Sequence, residues 1–104
     1  MKLTLTKTKE VNDKLVEIYE IAGYEVKVVT YEGGYKHINV REKRSDYLPT
    51  IYCRDDDDNG KVLDFEIQTT SYGSLPVDEI KKMIAGLEEA VAVVEVLRKE
   101  FVKE

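Results

Sequence analysis

The sequence predicts an α+β domain in which antiparallel β-hairpins are packed by one long C-terminal helix. Three observations carry that expectation. Short β-branched and aromatic runs, broken by turn residues, fill residues 1–70. Glu32-Gly33-Gly34 sits between two such runs, each bordered by a tyrosine. After Pro76 the apolar residues change to a helical period and hold it to the end of the chain. The 104 residues suit a single domain, β-rich over 1–70 and helical over about 76–102.

Lys2-Leu3-Thr4-Leu5-Thr6 alternates and reads as the first strand. Two readings are open for residues 11–22. Val11, Leu15, Ile18 and Ala22 recur at helical spacing, with Gly23 placed to end a helix. Residues 15–21 are rich in β-branched and aromatic side chains, and Asn12-Asp13 can close a hairpin. The balance favours strand. The next hairpin is better specified. With Glu32-Gly33-Gly34 as a three-residue loop, Tyr31 faces Tyr35, Val28 meets Ile38 and Val26 meets Val40, which makes one apolar face. A two-residue loop would set the valines against His37, Asn39 and Arg41. Residues 50–54 and 62–70 read as two further strands around an acidic turn. Ser74 or a neighbour caps the helix, and Pro76 falls in its first turn.

Along the helix, Ile80, Met83, Ile84, Leu87, Val91, Val94, Leu97 and Phe101 form one apolar stripe, expected to face the sheet. A helix of roughly 40 Å, at ~1.5 Å per residue, outruns the ~26 Å breadth of a domain this size. Its end is expected to protrude or to meet a partner. A thinner stripe of Ala85, Ala92, Val93 and Val96 points elsewhere and is a candidate homodimer contact. Small apolar residues on a helix surface are its plainer explanation.

Apolar residues make up 42% and charged residues 36%, a globular composition. No apolar tract is long enough to span a bilayer. The first residues lack the apolar stretch of a secretory signal, and the single cysteine, Cys53, excludes an intrachain disulfide and a cysteine zinc site. A cytoplasmic setting is therefore expected. The net charge of −5 is concentrated: Asp55 to Asp58 supply four negative charges, while residues 1–42 carry seven basic and seven acidic side chains. Such a point of charge is unlike the extended acidic face of a nucleic-acid mimic.

Asp55 to Glu66 satisfies D-x-D-x-N-G-x5-E and resembles the calcium loop of the EF-hand family. That resemblance implies calcium ligands from Asp55, Asp57 and Asn59, the Lys61 carbonyl and a bidentate Glu66, with Gly60 at the sharp turn. Four successive aspartates and an Asn-Gly turn meet most of the pattern by themselves, and strand-like runs flank it where an EF-hand has helices. A charged turn that blunts a sheet edge is the preferred reading. Phe65 to Leu75 (FEIQTTSYGSL), followed by the helix, resembles small phage- or prophage-encoded proteins of unknown function. The resemblance implies a bacterial or viral intracellular setting and carries no functional residue with it.

No catalytic constellation emerges. Nothing in the spacing joins Cys53 to His37, and no glycine-rich loop leads from a strand into a helix. Tyr31, Tyr35 and His37, close to Lys36 and Arg41, instead suggest a recognition face, since tyrosine supplies contact area at little entropic cost. The overall acidity favours protein over nucleic acid as the partner. The expected function is thus a non-enzymatic protein-binding or accessory protein, such as a phage-encoded regulator or inhibitor of a host protein. A calcium-binding module is the alternative.

Overall fold

In the computed structural model, which describes residues 1–44, 47–56, 60–69 and 73–102, six strands precede one helix: β1 (Thr4–Val11), β2 (Lys14–Ile21), β3 (Tyr24–Thr30), β4 (Lys36–Glu42), β5 (Thr50–Asp56), β6 (Lys61–Gln68) and α1 (Val77–Phe101). β1 to β4 form an antiparallel meander in sequence order, and β5 and β6 form a separate antiparallel pair. The fold is α+β, as the sequence predicts.

Turn chemistry sets the meander. Asn12 and Asp13 both adopt positive φ (50° and 66°), the conformation a two-residue hairpin demands and one that Asn and Asp tolerate. Residues 11–22 are therefore strand, turn and strand. The favoured three-residue loop joins β3 to β4: the Tyr31 N–H donates to the Tyr35 carbonyl at 2.7 Å, Gly33 and Gly34 both take positive φ, and Val28 pairs with Ile38 and Val26 with Val40.

This register puts Tyr24, Val26, Val28, Ile38 and Val40 on one face. They pack with Ile21, with Ile51, Val62 and Phe65 of the second hairpin, and with Ala90, Val93, Val94 and Leu97 of the helix. Tyr24 is fully buried, and its hydroxyl donates to the Pro49 carbonyl, so this buried phenol is satisfied. Burial, and after it Glu42 and Glu89, pushes its ionisation well above the usual range. Phe101 closes the far end of the core edge-on against Tyr19, with ring centroids 6.1 Å apart.

The helix corrects the sequence reading in two respects. Pro76 itself is the N-cap residue, and no side chain caps the first turn. The buried line is also rotated from the expected stripe. It runs Gly86, Ala90, Val93, Val94 and Leu97, whereas Ile84 and Val91 are each 48% exposed. Small residues decide the rotation. Gly86 lies against the chain at Tyr47, whose carbonyl oxygen would be 2.4 Å from a Cβ at that position. Close backbone approach selects the face that carries Gly and Ala over the face with the largest side chains. The fully buried residues all lie from Gly86 onward, while Ile80 and Met83 in the first turns are half-buried and Val77 and Ile84 are exposed.

Candidate protein-docking surface

The meander buries one face and leaves the other uncovered. Pairing assigns Lys7, Lys9, Val16, Ile18, Glu20, Glu25, Lys27, Val29, Asn39 and Arg41 to the outward face. Its floor is apolar: Val16 is only 7% exposed, and Ile18 and Val29 beside it are half-buried. A shallow hollow of about 290 Å³ lies over this floor, rimmed by Lys9, Lys27, Asn39 and Arg41. Lysine stems can lie along such a floor while their ammonium groups stay in water.

Charge on this face is lopsided. Arg41 pairs with Glu25 at 3.1 Å and Lys43 with Glu20 at 2.9 Å, so both acidic groups are already neutralised. Among the described residues, Lys7, Lys9 and Lys27 pair with no carboxylate. A chain with net charge −5 thus presents a basic sheet face. Strand β1 forms its free edge. All eight of its residues are exposed, and its lysines and the bulge between Leu5 and Lys7 discourage pairing with another edge.

The tyrosine cluster lies at one end of the same face. Tyr31 and Tyr35 meet edge to face, with centroids 5.6 Å apart, and Lys14 caps the Tyr31 ring at 4.8 Å. Tyr35 also packs on Gly60 so closely that any Cβ there would strike its ring. The pair therefore fastens the two hairpin tips together as well as presenting ring edges. His37 is exposed, with Nδ1 3.8 Å from Asp55.

The acidic pattern does not assemble a calcium site among the described residues. Asp57 and Asn59 lie outside them. Asp55 faces His37, and Lys61 opens strand β6 opposite Asp56. Glu66 lies five residues along that strand and pairs with Arg54 at 3.0 Å. The elements on either side are strands, and among the described residues no three acidic, histidine or cysteine side chains cluster as metal ligands do. Cys53 sits opposite Phe65 and packs against the core. Burial, then Asp55, pushes its thiol up to about 11, which keeps it protonated and unreactive at neutral pH.

The small-residue stripe divides. Val93 is wholly buried in the core, and Val96 packs against that core. Ala85 is exposed and Ala92 half-buried. The four residues do not share one surface. The sequence reading missed the outward sheet face, although its signal was available: Lys7, Lys9 and Lys27 take outward register positions once the hairpins are drawn.

No described helix is long and apolar enough to cross a membrane. The chain matches no family model, no curated protein sequence and no solved structure.

Proposed function

We propose that this chain is a non-enzymatic accessory protein that binds an acidic protein partner on the outward face of its four-stranded sheet, and that it acts as a homodimer. The observation that carries the reading is an apolar floor of Val16, Ile18 and Val29 under lysines that, among the described residues, have no carboxylate partner. Desolvated apolar contacts at the centre with a charged rim are the usual anatomy of a protein interface. Basic rim charges would steer an acidic partner and set its orientation. Tyr31, Tyr35 and His37 extend the face at one end. A small regulator or inhibitor of a host protein fits this description.

The test is capture by the immobilised chain, comparing wild type with a Lys9→Glu, Lys27→Glu double variant. Both side chains are exposed, so the melting temperature should hold. An acidic protein captured by wild type, released by salt and lost in the double variant supports the reading. Equal capture by both removes the sheet face from it. Salt-dependent binding of single-stranded DNA, abolished in the same variant, would replace the protein partner with a nucleic acid.

A further inference from the structure

The exposed residues of α1 are not scattered. Val77, Ile84 and Val91 follow one another at intervals of seven and are 69%, 48% and 48% exposed. Ile80 and Leu87, half-buried, fall between them at the three-and-four spacing of heptad positions a and d, and Val94, at the next position, is already buried in the chain's own core. The line stops at Arg98, whose guanidinium turns aside to Asp64 in two hydrogen bonds of 2.7 and 2.9 Å. α1 therefore carries two apolar seams. One, through Gly86, Ala90, Val93 and Leu97, is spent on its own sheets. The other, about a third of a turn away, leaves Val77, Ile84 and Val91 exposed.

We infer that this second seam is the surface on which a second copy of the chain docks, antiparallel, about a two-fold axis between Ile84 and Leu87. This rests on the homodimer element of the proposed function and places it on a different face of the helix from the alanine stripe. Three features favour a second copy in this arrangement. The first is register: the axis sets Ile84 against Leu87 and Ile80 against Val91, four apolar layers with no polar intruder. The second is charge. Lys81 and Glu88 flank the seam on its solvent side, both exposed and, among the described residues, without an intrachain ion-pair partner. Antiparallel pairing brings Lys81 of each copy to within about two residues of axial rise, ~3 Å, of Glu88 on the other. Two reciprocal ion pairs result. A parallel pair would offer these charges only Met83, Ala90 and Leu97, of which Ala90 and Leu97 are wholly buried in their own core. The third is space. Every buried residue of α1 lies from Gly86 onward, so the axis places the two sheet bodies at opposite ends of the helix pair. Each first half then covers Leu87 and Val91 of the other copy. The sheet face proposed for the acidic partner remains free in both copies.

Light scattering on the eluted protein tests this directly. Wild type should run at twice 12.0 kDa. Ile84→Glu should run at 12.0 kDa and keep its far-ultraviolet spectrum, because this side chain contributes little to its own core. Ala85→Glu, on the other side of the helix, should remain dimeric. Lys81→Glu and Glu88→Lys should each weaken the dimer at low salt, and the two together should restore it. A wild-type monomer at the highest soluble concentration overturns the inference. So does a dimer that survives Ile84→Glu. Failure of the double charge reversal to restore pairing overturns the antiparallel register. None of these outcomes touches capture on the sheet face, which the Lys9 and Lys27 variant tests separately.

Discussion

The two halves of α1 have nearly the same apolar content and opposite fates. From Gly86 to Phe101 the helix buries Gly86, Ala90, Val93, Val94 and Leu97. From Val77 to Ala85 it buries nothing completely, although Val77, Ile80, Met83 and Ile84 are as hydrophobic as anything in the second half. Hydrophobicity alone therefore does not place a helix. The second half is seated because small residues let it approach the chain at Tyr47 and Leu48 and because Glu89 accepts the Gly23 N–H at 2.9 Å. In the first half Ile80 and Met83 are only half-buried and Val77 and Ile84 are exposed.

The widest separation between the halves should come from truncating one apolar residue in each. Leu97 is fully buried, and Leu97→Ala should cost about 2–5 kcal/mol, the range for a buried leucine that leaves a cavity. Ile84→Ala should cost less than about 1 kcal/mol in a monomeric background such as Val91→Glu, since much of the side chain is already in water. Urea unfolding of both variants gives the comparison. Equal losses would mean that the first half is seated in the monomer after all.

A smaller effect, with a sign that runs against helix propensity, is expected at Gly86. Alanine in place of glycine inside an exposed helix gains about 1 kcal/mol. Here the added Cβ would lie 2.4 Å from the Tyr47 carbonyl oxygen, a backbone atom that cannot swing away. Gly86→Ala should destabilise by roughly 1–3 kcal/mol, as overpacking does, with the shift read by the same urea titration. A stabilised variant would show that helix and loop separate easily, and the distinction between the halves would lose its cause.

This residue also shows where the sequence was legible and where it was not. Elements governed by local chemistry could be read. Glu32-Gly33-Gly34 fixed the loop length and, through it, the pairing of Val28 with Ile38. The extent of the helix followed from its period. The rotation of the helix about its axis could not be read, because a stripe drawn through the largest side chains runs through Ile84 and Val91, and nothing local signals that Gly86 and Ala90 will face the chain. The same limit applied to the outward sheet face. Lys7 and Lys9 lie on β1 and Lys27 on β3, and only the register of three strands brings them together beside Val16 and Ile18. The acidic turn reads from sequence as a charged sheet edge, with a calcium loop as the alternative. A local pattern suggested calcium ligands, while strand β6 carries Glu66 away to Arg54.

The smallest expected effect sharpens the comparison by pH. Asp64 ties the seated half of α1 to strand β6 through Arg98. The hydrogen bonds from Arg98, and after them the Phe65 N–H, hold its carboxyl below the usual range. A carboxyl whose folded pKa is depressed adds stability that is present above its unfolded pKa of about 3.9 and is lost as pH falls through the folded value. Wild type should therefore lose melting temperature on acidification below about pH 4 more steeply than Asp64→Asn, while at neutral pH the two should differ modestly, because the pair is exposed and screened by solvent. Arg98→Gln should flatten the acid limb in the same way, since it removes the group that depresses the pKa. Ile84→Ala, in the first half, should leave that limb parallel to wild type. An acid limb unchanged in both Asp64→Asn and Arg98→Gln would mean that the seated half is held by packing alone, with Gly86, Ala90, Val93 and Leu97 sufficient to keep it in place.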